Sequence, residues 1–420
     1  MNAVIDTTNG SLYWPIDDEA GHVPYGVFTD ARIYEVEQER IFRGDNWSFV
    51  GLTAELPDPG DFKATYIGDT PVIVTRDREG GINVMTNRCA HRGALVCRSA
   101  RGNIDELECV YHQWKYDMQG KLIGVPFRRG LGGRGGMPEG FRMEQHGLDR
   151  LRVDTVGHLI FATFSDKVEP LRDYLGAVIV NHIERICHSP IRVLGDERQL
   201  VQGNWKLYAE NTRDPYHASL LHLFHTTFGL YRSTQKGGSW MDDKKRHTVL
   251  TASQGTDEGK MEGYDGLRTF NAEFTLKDPS LLAGRKEFDD GVTLVILTTF
   301  PNLVLQQIAN TLAVRQTVTK GPGQFELVWT QFGYEEDDEE MQKIRNKQGN
   351  LIGPAGLISM EDGEAVEIVH EAIIRDQEEA SYIGMGGGKA EDTEHLVTES
   401  AVIGFWQYYR ETMQVDAGAS

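Results

Sequence analysis

Two clusters of metal-ligating side chains stand out in this sequence. In the first, Cys89-Ala90-His91 is followed, after 17 intervening residues, by Cys109-Val110-Tyr111-His112. Each half offers one thiolate and one imidazole, two or three positions apart, on what must be a tight loop. Two such loops can bring four ligands to one point at the tip of a small β domain. With thiolates on one iron and neutral imidazoles on the other, they would hold a [2Fe–2S] cluster of far higher reduction potential than an all-cysteine one. Zinc is the competing use of the same donors. Structural zinc sites space their first pair as Cys-x2–4-Cys, and a Cys-x-His loop followed by Cys-x2-His is not that pattern.

The second cluster occupies residues 204–222, NWKLYAENTRDPYHASLLH. Asp214 and His217 are three apart and share a helix face. His222 lies five beyond His217, about 140° around an ideal helix. Both imidazoles can face one metal only where the helix is irregular, and Pro215 supplies a reason for that. A lone histidine here would be a satisfied core residue. Two beside Glu210, Asn211 and Asp214 leave metal binding and a polar core evenly balanced on spacing alone. Arg315, within the apolar stretch QQIANTLAVRQ, is a candidate for binding a substrate anion, and a solvent-facing sheet-edge arginine is the other reading. Ala218, Leu221, Leu305, Ile308 and Leu357 are candidates for the apolar wall of a pocket.

The elements that must position these groups change character along the chain. From about Trp47 to Phe164, short apolar runs (WSFVGL, TPVIVTRD, GINVMTN, HLIFATF) alternate with turn-rich stretches such as ELPDPGD, which predicts an all-β region. Beyond Leu171 the pattern mixes: helix from Asn204 to Phe228, strands from Val292 to Ile308 and from Leu312 to Val318. An acidic exposed helix is expected in the stretch from Tyr334, and another helix from Asp362 to Ile374. This order suggests an α+β domain whose sheet is covered by helices on one side. Expected boundaries are 44–166 for the all-β domain, with 1–43 and 167–420 forming the other. The glycine-rich stretch GLGGRGG follows no clear strand and opens no helix, so it reads as a surface loop, and nicotinamide binding on this chain is not supported.

Composition excludes several classes. The formal charge is −20, from 63 acidic and 43 basic residues among 420, so nucleic acid and anionic membranes are not expected partners. Four cysteines are too few for a disulfide scaffold, and Cys97 and Cys187 read as ordinary semi-buried thiols. The amino terminus is polar and acidic, and no apolar run approaches the ~20 residues of a membrane helix. A cytoplasmic location is the expectation.

The loops NRCAHRGA and CVYHQWKYD resemble the two ligand loops of the Rieske family. The segment from Glu210 to His222 is similar to the Glu-Asn-x2-Asp-x-Tyr-His-x4-His motif of Rieske ring-hydroxylating oxygenase large subunits. The likeness covers essentially the whole chain. Through CAHRGALVC, TTFGLYR and NLIGPAGLISMEDGE it points to the subunits acting on aromatic carboxylates such as anthranilate, salicylate and terephthalate.

The resemblance implies that Cys89, His91, Cys109 and His112 hold a [2Fe–2S] cluster. It likewise implies that His217, His222 and a carboxylate after the GPAG turn hold a mononuclear Fe(II). Asp362 matches that third position, although many relatives carry Asp-Asp where this chain has Glu361-Asp362. The implied fold is an all-β Rieske domain plus a helix-covered antiparallel-sheet catalytic domain. The implied function is dioxygenation of an anthranilate-like benzoate with electrons from NAD(P)H, brought by a separate reductase or ferredoxin. A salicylate-like monohydroxylase is the nearest alternative, and a Rieske electron carrier or a zinc hydrolase the remoter ones. The family also implies head-to-tail trimers in which Asp214, near Asn211, bridges His112 of one chain and His217 of the next. A small β subunit would complete an α3β3 hexamer.

Overall fold

The computed structural model describes residues 4–5, 12–13, 21–256 and 263–416. Apart from two short pairs of residues, the polar amino-terminal stretch read above lies outside these. The chain divides into two compact units, Phe42–Leu171 and Met1–Ile41 with Arg172–Ser420.

The Phe42–Leu171 unit is built from short strands. These are β1 (Ser48–Leu52), β2 (Asp61–Ile67), β3 (Thr70–Arg76), β4 (Ile82–Thr86), β5 (Arg101–Asn103), β6 (Leu107–Glu108), β7 (Lys115–Tyr116), β8 (Leu122–Gly124), β9 (Arg152–Val156) and β10 (Leu159–Thr163). They form three antiparallel sheets, ordered β4-β3-β2-β5, β8-β7-β6 and β9-β10-β1. The β-branched run Val72-Ile73-Val74 is fully buried, as a central strand requires. One cysteine–histidine loop joins β4 to β5 and the other joins β6 to β7. Gly130–Gly136 forms turns closed by a Leu131–Arg134 bridge and does not itself open a helix.

The larger unit centres on a seven-stranded antiparallel sheet. Its strands are β11 (Ile191–Val201), β12 (Lys236–Met241), β13 (Thr248–Ser253), β14 (Leu294–Thr299), β15 (Leu303–Ile308), β16 (Thr311–Thr319) and β17 (Phe325–Tyr334), in the order β11-β17-β16-β15-β14-β13-β12. Every residue of β16 is buried, so both faces of the middle of the sheet are covered. The run expected as one strand from Val292 to Ile308 is a hairpin, β14 and β15, turning at Pro301-Asn302. A proline there cannot donate to a strand ladder.

Besides two short helices, Gly26–Thr29 and Leu171–Leu175, the α-helices are α1 (Ala31–Glu37), α2 (Ala177–Ile186), α3 (Trp205–Asn211), α4 (Pro215–Leu221), α5 (Leu223–Thr227), α6 (Glu339–Ile352), α7 (Leu357–Ile373) and α8 (Ser400–Thr412). None of the described helices is long and apolar enough to cross a membrane. The single helix expected over 204–228 is thus three short ones. The acidic stretch divides as well: Tyr334 ends β17, and α6 starts after Asp338, whose side chain accepts from the Met341 N–H at 2.7 Å. Helix α7 begins five residues before Asp362, which places Glu361 and Asp362 in its second turn instead of at its start.

Two local devices fix the helices around the second motif. Lys206 on α3 is fully buried and lies 2.6 Å from Glu37 of α1, which also accepts from Trp205 Nε1 at 2.8 Å and from the Tyr409 hydroxyl of α8 at 2.5 Å. A buried ion pair persists only with such extra hydrogen bonds, and this one ties α3 to two other helices. At the entry to α7, a Cβ on Gly356 would sit 2.1 Å from the Leu351 carbonyl oxygen. Only glycine lets the GPAG turn close this tightly and start α7 in phase.

Candidate functional site

Asp214 stands just before α4 and its Oδ1 accepts from the N–H groups of Tyr216 (2.7 Å) and His217 (3.2 Å). Pro215 occupies the first helical position, where its missing N–H costs nothing. It therefore starts α4 rather than kinking a longer helix, which corrects the role expected for it. The irregularity lies at His222 itself, whose φ of −90° and ψ of 82° separate α4 from α5. That break swings the second imidazole back towards the first, and the two ring centroids are 5.5 Å apart.

Asp362 completes the group from α7. Its Oδ1 lies 3.4 Å from His217 Nε2 and 3.2 Å from His222 Nε2, and accepts from Asn211 Nδ2 at 3.1 Å. One ligand atom from each of His217, His222 and Asp362 falls within 4.8 Å of the others, the one such group among the described residues. Glu361 points elsewhere, its Oε2 standing 2.7 Å from His222 Nδ1. Asp214 Oδ2 is 3.2 Å from His217 Nδ1. Each imidazole thus turns Nε2 to the centre and Nδ1 to a carboxylate, the arrangement that fixes tautomer and ring orientation in metal-binding histidines.

Electrostatics describe a centre in need of a cation. Burial alone would push Asp362 up, but His222 and His217 outweigh it and hold the carboxyl well below the usual range. Burial likewise opposes charge on His217, yet Asp214 and Asp362 hold it up to about 10. Protons on the imidazoles thus stand in for the positive charge a metal would bring. Two imidazoles and one carboxylate on one side, with other positions open, match the donor set of non-haem Fe(II) oxygenases.

A small cavity, about 70 Å³, opens against this group. Ala218, Ile308 and Arg315 line it. The other three expected wall residues do not. Leu221 lines a second cavity with Glu210 and Asp214. Leu305 pairs with Leu297 and Val314 on the opposite face of the sheet, because it lies three residues from Ile308 and strand side chains alternate. Leu357 is 39% exposed. Their places are taken by Leu250, Leu294 and Ile296 from the Ile308 face of the sheet, and by Ile358, Tyr231 and His225. Ile358 was findable, since it precedes Asp362 by four and shares its helix face. His225 had no signal beyond its closeness to His222.

Arg315 is buried inside the sheet, not on its edge. Its Nε and Nη2 donate to Gln306 Oε1, its Nη1 donates to the Tyr208 hydroxyl at 2.8 Å, and the guanidinium lies 4.3 Å from the Trp329 ring. No carboxylate pairs with it among the described residues. His225, also buried, is held down to about 3 first by burial and then by His222.

The two cysteine–histidine loops share one backbone design. Cys89 N–H donates to the Ala94 carbonyl and Cys109 N–H to that of Trp114, while each cysteine carbonyl accepts from the residue four on, Gly93 or Gln113. Those two residues have positive φ, 76° and 55°. Both sulfurs are buried. The His91 ring, exposed at the tip, stacks on Trp114 at 4.8 Å and sits 4.5 Å from His112. The Tyr116 hydroxyl accepts from Ala90 N–H and lies 3.2 Å from Cys89 Sγ. Cys97 stands apart with its thiol pushed up to about 11 by burial.

Residues 46–133 match the Rieske [2Fe–2S] domain, and residues 180–415 match the ring hydroxylating alpha subunit (catalytic domain). The chain belongs to the ring-hydroxylating alpha subunit family. It is 50% identical to the large subunit of anthranilate 1,2-dioxygenase from Burkholderia cepacia, over 96% of this chain and 95% of that one. It is 47% identical to the alpha 2 subunit of the terminal oxygenase component of terephthalate 1,2-dioxygenase from Comamonas sp, over 93% and 95%. The fold matches naphthalene 1,2-dioxygenase from Rhodococcus sp. bound to indole with a TM-score of 0.78 at 21% identity, covering 93% of this chain and 94% of that one.

This ring-hydroxylating alpha subunit therefore has the Rieske [2Fe–2S] domain and the catalytic domain of a non-haem iron oxygenase, and its side chains fit both groups. Burial, together with the nearby Cys89 thiol, pushes the Cys109 thiol up, so two adjacent thiolates need a multivalent cation beside them. The catalytic centre makes a prediction about the metal-free chain. The His217 value of about 10 exceeds its unperturbed 6.5, so the stability it contributes is fully present below pH 6.5 and lost as pH rises through 10. Thermal midpoints of iron-depleted protein should fall between pH 7 and pH 10. Added Fe(II) or Co(II) should raise the midpoint and flatten that slope, which differential scanning calorimetry will read.

Proposed function

We propose that this chain is the oxygenase component of a dioxygenase acting on an aromatic monocarboxylate of the anthranilate type. The cluster domain would span 44–166, with 1–43 and 167–420 forming the catalytic domain. Cys89, His91, Cys109 and His112 would hold the [2Fe–2S] cluster, and His217, His222 and Asp362 the mononuclear iron. The observation that carries the substrate class is Arg315, a buried guanidinium without a carboxylate partner on the wall of the cavity that also holds the metal-binding group. A buried cation demands an anion, and a substrate carboxylate is the anion that fits. Among the described residues Arg315 is also the one Lys or Arg of that wall. This favours a single acid group over a dicarboxylate of the terephthalate kind.

When bound, the cluster supplies electrons singly and the iron supplies the site at which dioxygen is activated. The chain does the rest. Gln306, Tyr208 and Trp329 hold the guanidinium flat so that its remaining N–H donors face the substrate carboxylate. Leu250, Leu294, Ile296, Ile308 and Ile358 pack the ring and exclude water. Glu361 and Asp214 hold the Nδ1 protons of the two histidines. With two electrons from NAD(P)H through a reductase or ferredoxin and two protons, both atoms of O2 add across a ring double bond to give a cis-dihydrodiol. Where the ring bears an ortho amino group, loss of ammonia and carbon dioxide then leaves a catechol.

Holoenzyme with a surrogate reductase should consume dioxygen with anthranilate and place both atoms of ¹⁸O2 in the product. One labelled atom would instead mark a monohydroxylase of the salicylate type. Arg315→Gln should raise KM for the aromatic acid roughly tenfold or more, since a charge-assisted hydrogen bond contributes roughly 1.5–3 kcal/mol. An unchanged KM would remove Arg315 from the site.

We infer further that the chain works as a trimer, with a small β subunit, and that Asp214 links His217 to His112 of a neighbouring chain. Support comes from Asp214 itself, which keeps Oδ2 on His217 Nδ1 while Oδ1 caps α4, and which lines the second cavity with Tyr382, 70% exposed. Chains carrying Cys89→Ser and chains carrying His217→Ala should each be inactive, yet recover part of the turnover when co-assembled. Verified mixed trimers that stay inactive would contradict transfer between chains.

A further inference from the structure

His225 sits three residues beyond His222, on α5, and is 3% exposed. Its Nε2 has no hydrogen-bond partner, whereas its backbone carbonyl accepts from the N–H groups of Leu230 and Tyr231. An orphan nitrogen in a buried ring is uncommon and is tolerated where a ligand supplies the partner. Of the other polar groups of the cavity wall, His217 Nδ1 has only Asp214 Oδ2 near it, at 3.2 Å, and the rest are engaged. Asn211 faces His217 and Asp362, the Thr212 hydroxyl turns back to the Tyr208 carbonyl at 3.1 Å, and Asp214 caps α4. Nor does His225 belong to the metal-binding group, which is formed by His217, His222 and Asp362. Its ring lies 5.9 Å from that of His222, beside the metal-binding end of the cavity.

We propose that His225 is a specificity-determining residue that hydrogen-bonds an amino or hydroxyl substituent on the aromatic ring whose carboxylate Arg315 binds. The inference rests on the aromatic-carboxylate reading and narrows it. A neutral imidazole offers one donor and one acceptor, so it can serve either substituent, while an unsubstituted benzoate leaves it unsatisfied. Apart from the metal-binding end, Arg315, and the Thr212 and Tyr231 hydroxyls that are bonded to backbone carbonyls, the remaining wall is apolar. A ring with two polar points, one anionic and one neutral, therefore matches the cavity better than a ring with one.

The test is equilibrium binding of benzoate, 2-aminobenzoate and 2-hydroxybenzoate to the holoenzyme, by calorimetry, with iron content measured in parallel. Wild type should bind at least one substituted acid roughly fivefold to tenfold more tightly than benzoate, the ratio set by one net hydrogen bond. His225→Phe, which keeps a ring but no nitrogen, should abolish that preference, with benzoate the acid least affected and three irons per chain retained. His225→Gln should restore part of the preference, and serves as the second variant if Phe prevents folding. An equal loss for all three acids, an unchanged preference, or loss of one iron would overturn the role of His225. Wild type that binds none of the three acids would instead overturn the aromatic-carboxylate reading itself.

Discussion

Asp362 is a carboxylate with almost no access to water, held between two imidazoles that both present Nε2 to one of its oxygens. No arrangement of those three side chains is stable without positive charge at their centre, whether as protons or as a metal. Most of what surrounds them exists to keep them in place. The Lys206–Glu37 pair locks α3, the Asp214 cap and Pro215 set where α4 begins, and the break at His222 decides where α4 ends. The close turn at Gly356 sets the phase of α7, and hence which of its two adjacent acids reaches the centre. Glu361 and Asp362 are consecutive, so about 100° of helix separates them, enough to send one to Nε2 and the other to Nδ1.

The sheet contributes by alternation. Leu250, Leu294, Ile296, Ile308 and Arg315 come from four strands but share one face, because directly paired residues of antiparallel strands point the same way. An arginine on that face is expensive unless its donors are occupied. Gln306 and Tyr208 occupy several without neutralising its charge. The site is thereby left with a preference for anions that does not depend on surface electrostatics. That suits a chain whose net charge of −20 works against anionic substrates at long range.

Much of this was legible in the residues. The donor types and spacings of the two motifs, the family they resemble and the α+β class could all be read before any coordinates. Side-chain facing was harder. Leu305 and Ile308 lie three apart on one strand and cannot share a face. Leu357 and Ile358 are adjacent, and only the start of α7 at Leu357 rather than at Asp362 gives the helical register that points to Ile358. The break at His222 has no local sequence marker: neither glycine nor proline stands there, and the conformation is imposed by packing and by Glu361 on Nδ1. Arg315 was evenly poised between edge and interior, and only the place of β16 in the middle of the sheet decides it.

The most direct test of this account compares the two adjacent carboxylates by iron content. Asp362→Asn keeps the shape of the side chain but removes the charge that faces both Nε2 atoms, whereas Glu361→Gln alters only the partner of His222 Nδ1. Purified Asp362→Asn should hold two irons per chain with an intact visible cluster spectrum, and Glu361→Gln should keep three or lose the third only partly. Full iron retention in Asp362→Asn, with loss in Glu361→Gln, would contradict the assignment of the centre.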